Sequence, residues 1–187
     1  MDIDPKKLPQ DIRQCHGVIA GLLTELDAKD RRGEITDRGM NECEVVERAD
    51  GTLLLSMRNY RGEERRAFTF SREGGKSWSK PEHHVQIYCP TCQSSIHRYS
   101  FEPKSIILYS GPGGPGRARM AVRASYDEGR TWPVSKLLHP GPSAYSDLAV
   151  LPSGEIICHY EGGEKNWRES IMFARFSLNW LTGRTGP

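Results

Sequence analysis

Ser125-Tyr126-Asp127-Glu128-Gly129-Arg130-Thr131-Trp132 is the stretch from which the fold is read, and it recurs in weaker form 54 residues earlier as Ser71-Arg72-Glu73-Gly74-Gly75-Lys76-Ser77-Trp78. Both copies have the form Ser-x-acid-x-Gly-x-Ser/Thr-Trp. Both follow an alternating run, Ala67-Phe68-Thr69-Phe70 in one and Met120-Ala121-Val122-Arg123 in the other. A hydroxyl and an acid before a glycine make a turn, because short side-chain oxygens bond nearby backbone N–H groups and glycine adopts positive φ without strain. The tryptophan that ends each copy must bury its ring. Units of about fifty residues, each with strands and turns, predict a β-propeller or a similar array.

The 187 residues are enough for one ordinary domain with a real core. The chain is 36% hydrophobic and 27% charged with a net charge of +2, too mild a balance to imply nucleic acid. The arginine-rich pieces, Arg61 to Arg66 and Arg117 to Arg123, are interleaved with acids or apolar residues and read as strand faces. No apolar run is long enough to cross a membrane. Met1-Asp2-Ile3-Asp4-Pro5-Lys6-Lys7 lacks the apolar core of a signal peptide, so the expected location is cytoplasmic.

Five cysteines, an odd number, argue against a closed disulfide framework. Cys89-Pro90-Thr91-Cys92, with His83 and His84 close by, offers donors for zinc. No second Cys pair completes such a site, and the βαβ context of a redox Cys-x-x-Cys is missing. The pair is read as a reduced loop, and neither metal nor cofactor is expected.

Leu8, Ile12, Cys15, Ile19, Leu22 and Leu26 recur at helical steps, predicting a helix over 8–29 with Pro9 in its first turn. A charged linker follows to Gly39. The expected division is therefore 1–39, helix and linker, and 40–187, the β domain. Three similar units follow the linker. In the first, Glu44 to Glu47 turns at Asp50-Gly51 and returns as Thr52 to Met57, then Arg65 to Phe70 leads into the first octad. In the second, Ser95 to Tyr99 turns at Glu102-Pro103-Lys104 and returns as Ser105 to Tyr109, and Arg117 to Ala124 leads into the second octad. Gly111 to Gly116 lacks the Gly-Lys-Ser/Thr of a phosphate-binding loop and reads as a connector. In the third, Leu148 to Leu151 turns at Ser153-Gly154, returns as Glu155 to Tyr160, and continues through Ile171 to Phe176 to an octad remnant at Ser177-Leu178-Asn179-Trp180. Each unit reads as one four-stranded antiparallel blade.

This register places candidate chemistry. Gly51 and Gly154 hold the same turn two units apart; Glu42 and Tyr145 each lie nine residues before it, Arg58 and Glu161 seven after. In a hairpin the start of one strand and the end of the next lie side by side, away from the turn. Glu42 with Arg58, and Tyr145 with Glu161, therefore share one rim, and Arg117, opening the third strand of its unit, joins them. The octads belong to the opposite rim. Taken singly, each residue has a plainer reading: Glu42 a solvated acid, Arg58 a strand-end charge paired with Glu47 or Glu161, Arg117 a loop cation with Arg119 as its rival, Tyr145 a ring packed between blades. Their convergence on one rim outweighs those readings.

The octads resemble the Asp-box of the sialidases, in which Ser71, Glu73, Gly75 and Trp78, and Ser125, Asp127, Gly129 and Trp132, are structural. Asn41 to Glu47, Leu53 to Arg58, Ala144 to Pro152 and His159-Tyr160-Glu161 resemble consecutive motifs of bacterial-type exo-sialidases, over about residues 39 to 184. The resemblance implies the C-terminal half of a six-bladed propeller that removes terminal sialic acid from glycoconjugates. It implies Tyr145 as nucleophile, Glu42 as its base, Arg58 and Arg117 as carboxylate-binding residues, and Glu161 as a substrate-site acid. The chemistry needs these types. Sialic acid carries a carboxylate on its anomeric carbon, which would repel a carboxylate nucleophile. A phenol is neutral until a base activates it, and arginine holds a carboxylate bidentately. The family's further arginine and its aspartate acid/base have no match. Three readings stay open: a truncated sialidase, a half-propeller completed by a second copy or by a complementing N-terminal half, and a module that binds sialic acid or is purely structural.

Overall fold

A computed structural model describes residues 39–101 and 105–183; the expected helix over 8–29, its linker up to residue 38 and the Glu102-Pro103-Lys104 turn lie outside the described residues. The described residues are almost entirely β. Strands β1 (Met40–Glu47), β2 (Leu53–Asn59), β3 (Arg65–Ser71) and β4 (Glu82–Tyr88) form an antiparallel meander in sequence order. Strands β5 (Ser95–Tyr99), β6 (Ile106–Pro112), β7 (Ala118–Ser125), β8 (Val134–Val150), β9 (Ile156–Gly162) and β10 (Ser170–Phe176) form a second meander of six. A short helix α1 (Leu178–Thr182) follows.

The turns form for the chemical reasons read from the sequence. Gly51 takes φ +78°, and the Thr52 N–H donates to Asp50 Oδ1 at 3.0 Å, which fixes the register of β1 on β2. In the second octad Ser125 Oγ accepts from the Gly129 N–H at 2.8 Å and Asp127 accepts from the backbone and hydroxyl of Thr131 at 2.8 and 2.6 Å. In the first, Ser71 Oγ accepts from the Gly75 N–H at 2.9 Å and Glu73 accepts from the Ser77 hydroxyl at 2.8 Å. Glu128, between the acid and the glycine, reaches across units: it accepts from the Ala49 N–H and pairs with Arg98 at 2.7 Å.

The six-stranded sheet is two units joined through one strand. The first half of β8 pairs with β7 as far as Pro142, and the second half pairs with β9 from Ser143. The sequence reading ended one unit at the second octad and opened the next at Leu148; between them lies Pro140-Gly141-Pro142, which has the composition of a break. The strand continues because its partner changes at that point: the Ser143 N–H donates to the Arg117 carbonyl at 2.9 Å, and the Pro142 carbonyl accepts from Gly163. The third unit contributes three strands among the described residues. Ser177 does not open a further octad turn. It caps α1, its Oγ accepting from the Trp180 N–H at 3.1 Å, and Leu178 and Leu181 bury against the sheet. The segment has the serine of an octad without the acid-x-Gly that makes the turn, so capping prevails.

β6 is buried on both faces, its side chains alternating between two cores. Ile106 and Leu108 face Met120, Val122, Leu148 and Ile156. Ile107 and Tyr109 face Leu54, Phe68 and Trp132. Trp132, 3% exposed, wedges between units with its ring 6.3 Å from Phe68 and 5.9 Å from Tyr109. The first strands of successive units lie against one another. The Ile96 N–H on β5 donates to Glu44 on β1, and Ser95 on β5 bonds both Asp147 and the Leu148 N–H on β8. β1 and the second half of β8 are thereby set on either side of β5.

Candidate active site

Backbone irregularity aims the two central side chains. The pairing of β1 with β2 slips between Asn41 and Cys43, and Glu42 in that bulge has φ +41°. The pairing of β8 with β9 slips between Ser143 and Ser146, a bulge that contains Tyr145. A bulge turns a side chain out of the alternation of its strand. Here the two turn toward each other: the Tyr145 hydroxyl donates to Glu42 Oε1 at 2.7 Å across 103 residues of chain.

Arg58 bridges the pair. Its Nη1 lies 2.6 Å from Glu42 Oε2 and donates to the Tyr145 oxygen at 3.0 Å, while Nε donates to Asn41 Oδ1 at 3.0 Å. The guanidinium also lies over the Tyr60 ring, 4.6 Å from its centroid. Glu161 stands beside Tyr145, accepting from its backbone N–H at 3.4 Å. Arg117 lies over the Tyr145 ring at 5.5 Å and over the Trp167 ring at 4.6 Å, and Nη2 donates to the Thr91 carbonyl at 3.1 Å. The five residues placed on one rim by register therefore occupy one cluster. Arg119, the rival of Arg117, is exposed, with its stem against Gly114.

The electrostatics of the pair suit a proton relay. The hydrogen bond to the Glu42 carboxylate raises the Tyr145 pKa above its ordinary value, burial adds to this, and the Arg58 charge opposes both. The phenol is thus held protonated at neutral pH, with a base on its proton and a cation on its oxygen. Were that proton to pass to Glu42, the charge left on the phenolate would face Arg58.

Several contributors were not read from the sequence. Asn41 and Tyr60 orient Arg58. Arg66, fully buried, donates to the Glu42 carbonyl at 3.1 Å, the Cys92 carbonyl at 3.0 Å, the Ser94 carbonyl at 3.3 Å and both oxygens of Ser56. Trp167 sits in the β9–β10 loop. An aromatic beside an arginine in a polar loop, Lys165-Asn166-Trp167-Arg168, was the available signal for Trp167; Arg66 offered none beyond its place in a strand. Cys89 and Cys92 are free and buried, and burial pushes the Cys92 thiol up to about 12. Their turn serves the site through the carbonyls of Thr91 and Cys92. His83 pairs with Glu63, and His84 Nε2 meets the Arg130 carbonyl. Among the described residues no three His, Cys, Asp or Glu are grouped to hold a metal ion.

The family model of the BNR repeat-like domain matches residues 11–158. The chain belongs to that family. Its relatives are sialidases. It is 34% identical to the sialidase of Micromonospora viridifaciens over 164 residues, covering 84% of this chain and 25% of that protein. It is 33% identical to the sialidase of Vibrio cholerae, covering 68% of this chain and 19% of that one. Among solved structures, a Hadza microbial sialidase superposes with a TM-score of 0.63 at 30% identity, over 76% of this chain and 28% of the other. The intramolecular trans-sialidase of Ruminococcus gnavus superposes at 0.65 and 24%, a likeness of fold, over 78% of this chain and 34% of the other. The chain thus has the fold of a sialidase-type propeller and spans a quarter or less of the length of these two curated relatives.

Proposed function

We propose that this rim binds the terminal sialic acid of a glycoconjugate and carries the nucleophilic half of its retaining hydrolysis. The observation that carries the proposal is the Tyr145 hydroxyl at 2.7 Å from Glu42 with Arg58 on the same oxygen. Glu42 takes the phenolic proton, and the phenolate attacks the anomeric carbon. The resulting aryl glycoside is opened by water with net retention, after two inversions. Arg58 and Arg117 receive the sugar carboxylate, and Glu161 lies beside them.

The acid that protonates the leaving oxygen, and a further arginine, are to be supplied by additional blades. These belong to a longer form of this protein or to a complementing N-terminal half; a second copy, having the same sequence, closes the ring without adding either residue. Turnover by the 187-residue chain alone is weak for that reason. The test is fluorophore release from an aryl α-sialoside, with light scattering on the same sample. Slow release abolished by Tyr145→Phe and accelerated by co-expressed N-terminal blades supports the proposal. Robust release unaffected by Tyr145→Phe assigns the nucleophile wrongly. Sialic acid binding with no turnover in any assembly state favours a binding module.

A further inference from the structure

Trp167 has no place in the chemistry described so far, yet its loop is built to hold it still. Between β9 and β10 the Glu169 carboxylate accepts from three successive backbone N–H groups, those of Glu164, Lys165 and Asn166, at 2.9, 3.1 and 2.8 Å. Asn166 Oδ1 accepts from the Arg168 N–H at 2.9 Å. A Cβ at Gly163 would lie 2.3 Å from the Asn166 carbonyl, so the loop is drawn tightly around that glycine. The loop is tied to β8 through the Gly163 carbonyl, 3.1 Å from His139 Nε2. A loop fixed at both ends presents its aromatic residue in one place.

The half-buried indole meets Arg117 at 4.6 Å from the ring centroid, and Arg168 lies over the same ring at 4.3 Å. Among the described residues, the contacts that hold Arg117 are two rings and the Thr91 carbonyl. A carboxylate partner would fix the guanidinium equally well but would compete with an anionic ligand. A ring face attracts the cation and leaves its in-plane N–H fork directed outward. The second guanidinium raises the positive potential at the same spot.

We infer that Trp167 is a positioning residue, whose indole holds the Arg117 guanidinium where the carboxylate of the sugar is received. This rests on the reading of Arg117 as a carboxylate-binding residue. Two measurements on the full chain test it. The first uses no ligand: the Arg117 Nε–H resonance is assigned by its loss in Arg117→Ala. It is expected to be ring-current shifted in the native protein and to move toward the position of a solvated arginine in Trp167→Ala, the Tyr145 ring and the Thr91 carbonyl remaining in place. A resonance that does not move overturns the inference. The second is the dissociation constant for free sialic acid by ligand-observed NMR. Trp167→Ala is expected to weaken binding by about three- to tenfold, Trp167→Phe to restore most of it, and Trp167→Ala to add nothing in an Arg117→Ala background. Equal weakening in both backgrounds overturns the inference. If Arg117→Ala leaves the affinity unchanged, the reading of Arg117 fails, and the first measurement still decides whether Trp167 positions its side chain.

Discussion

Replacing Arg66 by methionine tests how the site is held from below. Arg66 is fully buried, and its partners are carbonyls, one hydroxyl and, more distantly, the Cys89 sulfur. Methionine of similar length fills the space and strands the carbonyls of Glu42, Cys92 and Ser94. Each orphaned buried acceptor costs about 1–3 kcal/mol. Removing the cation recovers part of its own desolvation, so the net destabilisation expected is roughly 3–5 kcal/mol, the range for breaking a buried charged network. Urea unfolding should show a lower midpoint at unchanged slope. Arg66→Lys keeps the charge but has three donors and no fork, so it falls between the two. The loss should also reach the site, because the Glu42 carbonyl lies in the bulge that aims the Glu42 carboxylate. The Tyr145 resonances should shift in folded Arg66→Lys. A change below about 1 kcal/mol on Arg66→Met, or a Tyr145 environment unaltered in Arg66→Lys, would refute the account of Arg66 as the tie beneath the bulge.

Three further outcomes are expected. Because the Glu42 hydrogen bond raises the Tyr145 pKa and the Arg58 charge lowers it, Glu42→Gln should bring the phenol's titration down and Arg58→Ala should move it up; ¹³Cζ-tyrosine NMR reads both, and shifts of the same sign contradict the bridging role of Arg58. Asp127 is pushed up by burial but pulled further down by hydrogen bonds from Thr131 and Ser125, leaving its pKa below the unfolded value of 3.8. Its contribution is therefore present above that value and lost as pH falls through the lower folded pKa; thermal melts below about pH 4 should show this acid loss in the native protein and not in Asp127→Asn. Gly51 and Gly129 both have positive φ, but a Cβ at Gly129 would lie 2.8 Å from Leu54 Cδ2 while one at Gly51 meets nothing. Gly51→Ala should cost about 1 kcal/mol and Gly129→Ala about 2 or more, and equal costs would show that Leu54 moves aside freely.

The hairpins and the site pair were legible because their determinants are local or repeat. Asp50-Gly51 sets its own turn, and the octads carry every atom of their locks. Glu42, Arg58, Tyr145 and Glu161 could be placed because a repeat of known register puts like positions on like rims. Where determinants are non-local the sequence was silent. Arg66 is one cation in an arginine-rich strand until the Cys89–Cys92 turn and the Glu42 bulge close carbonyls around it. Pro140-Gly141-Pro142 has the composition of a break, yet the strand runs through because one partner takes over where another leaves. Ser177 resembled the start of an octad, and what decided otherwise was an absent glycine and two leucines three residues apart.

Repetition also explains why the site exists at all. The first and third units carry the same irregularity, a bulge near the start of the first strand, at Glu42 in one and at Tyr145 in the other. The unit between them supplies β5 as the spacer, tied to β1 through Glu44 and to β8 through Ser95 and Asp147. A bulge in an isolated hairpin would turn its side chain toward solvent. Set on either side of a shared spacer, two such bulges turn toward one another, and whichever residues occupy them are brought into contact. With glutamate in one and tyrosine in the other, that contact becomes a carboxylate on a phenol. The pairing therefore depends on the spacing between units as much as on the two residues. Ser95→Ala, which removes the β5 link to Asp147 and the Leu148 N–H without touching either residue, should lengthen the Tyr145–Glu42 hydrogen bond and move the Tyr145 titration back toward its ordinary value. A Tyr145 titration unchanged by Ser95→Ala would mean that the bulges alone, and not the unit between them, set the geometry.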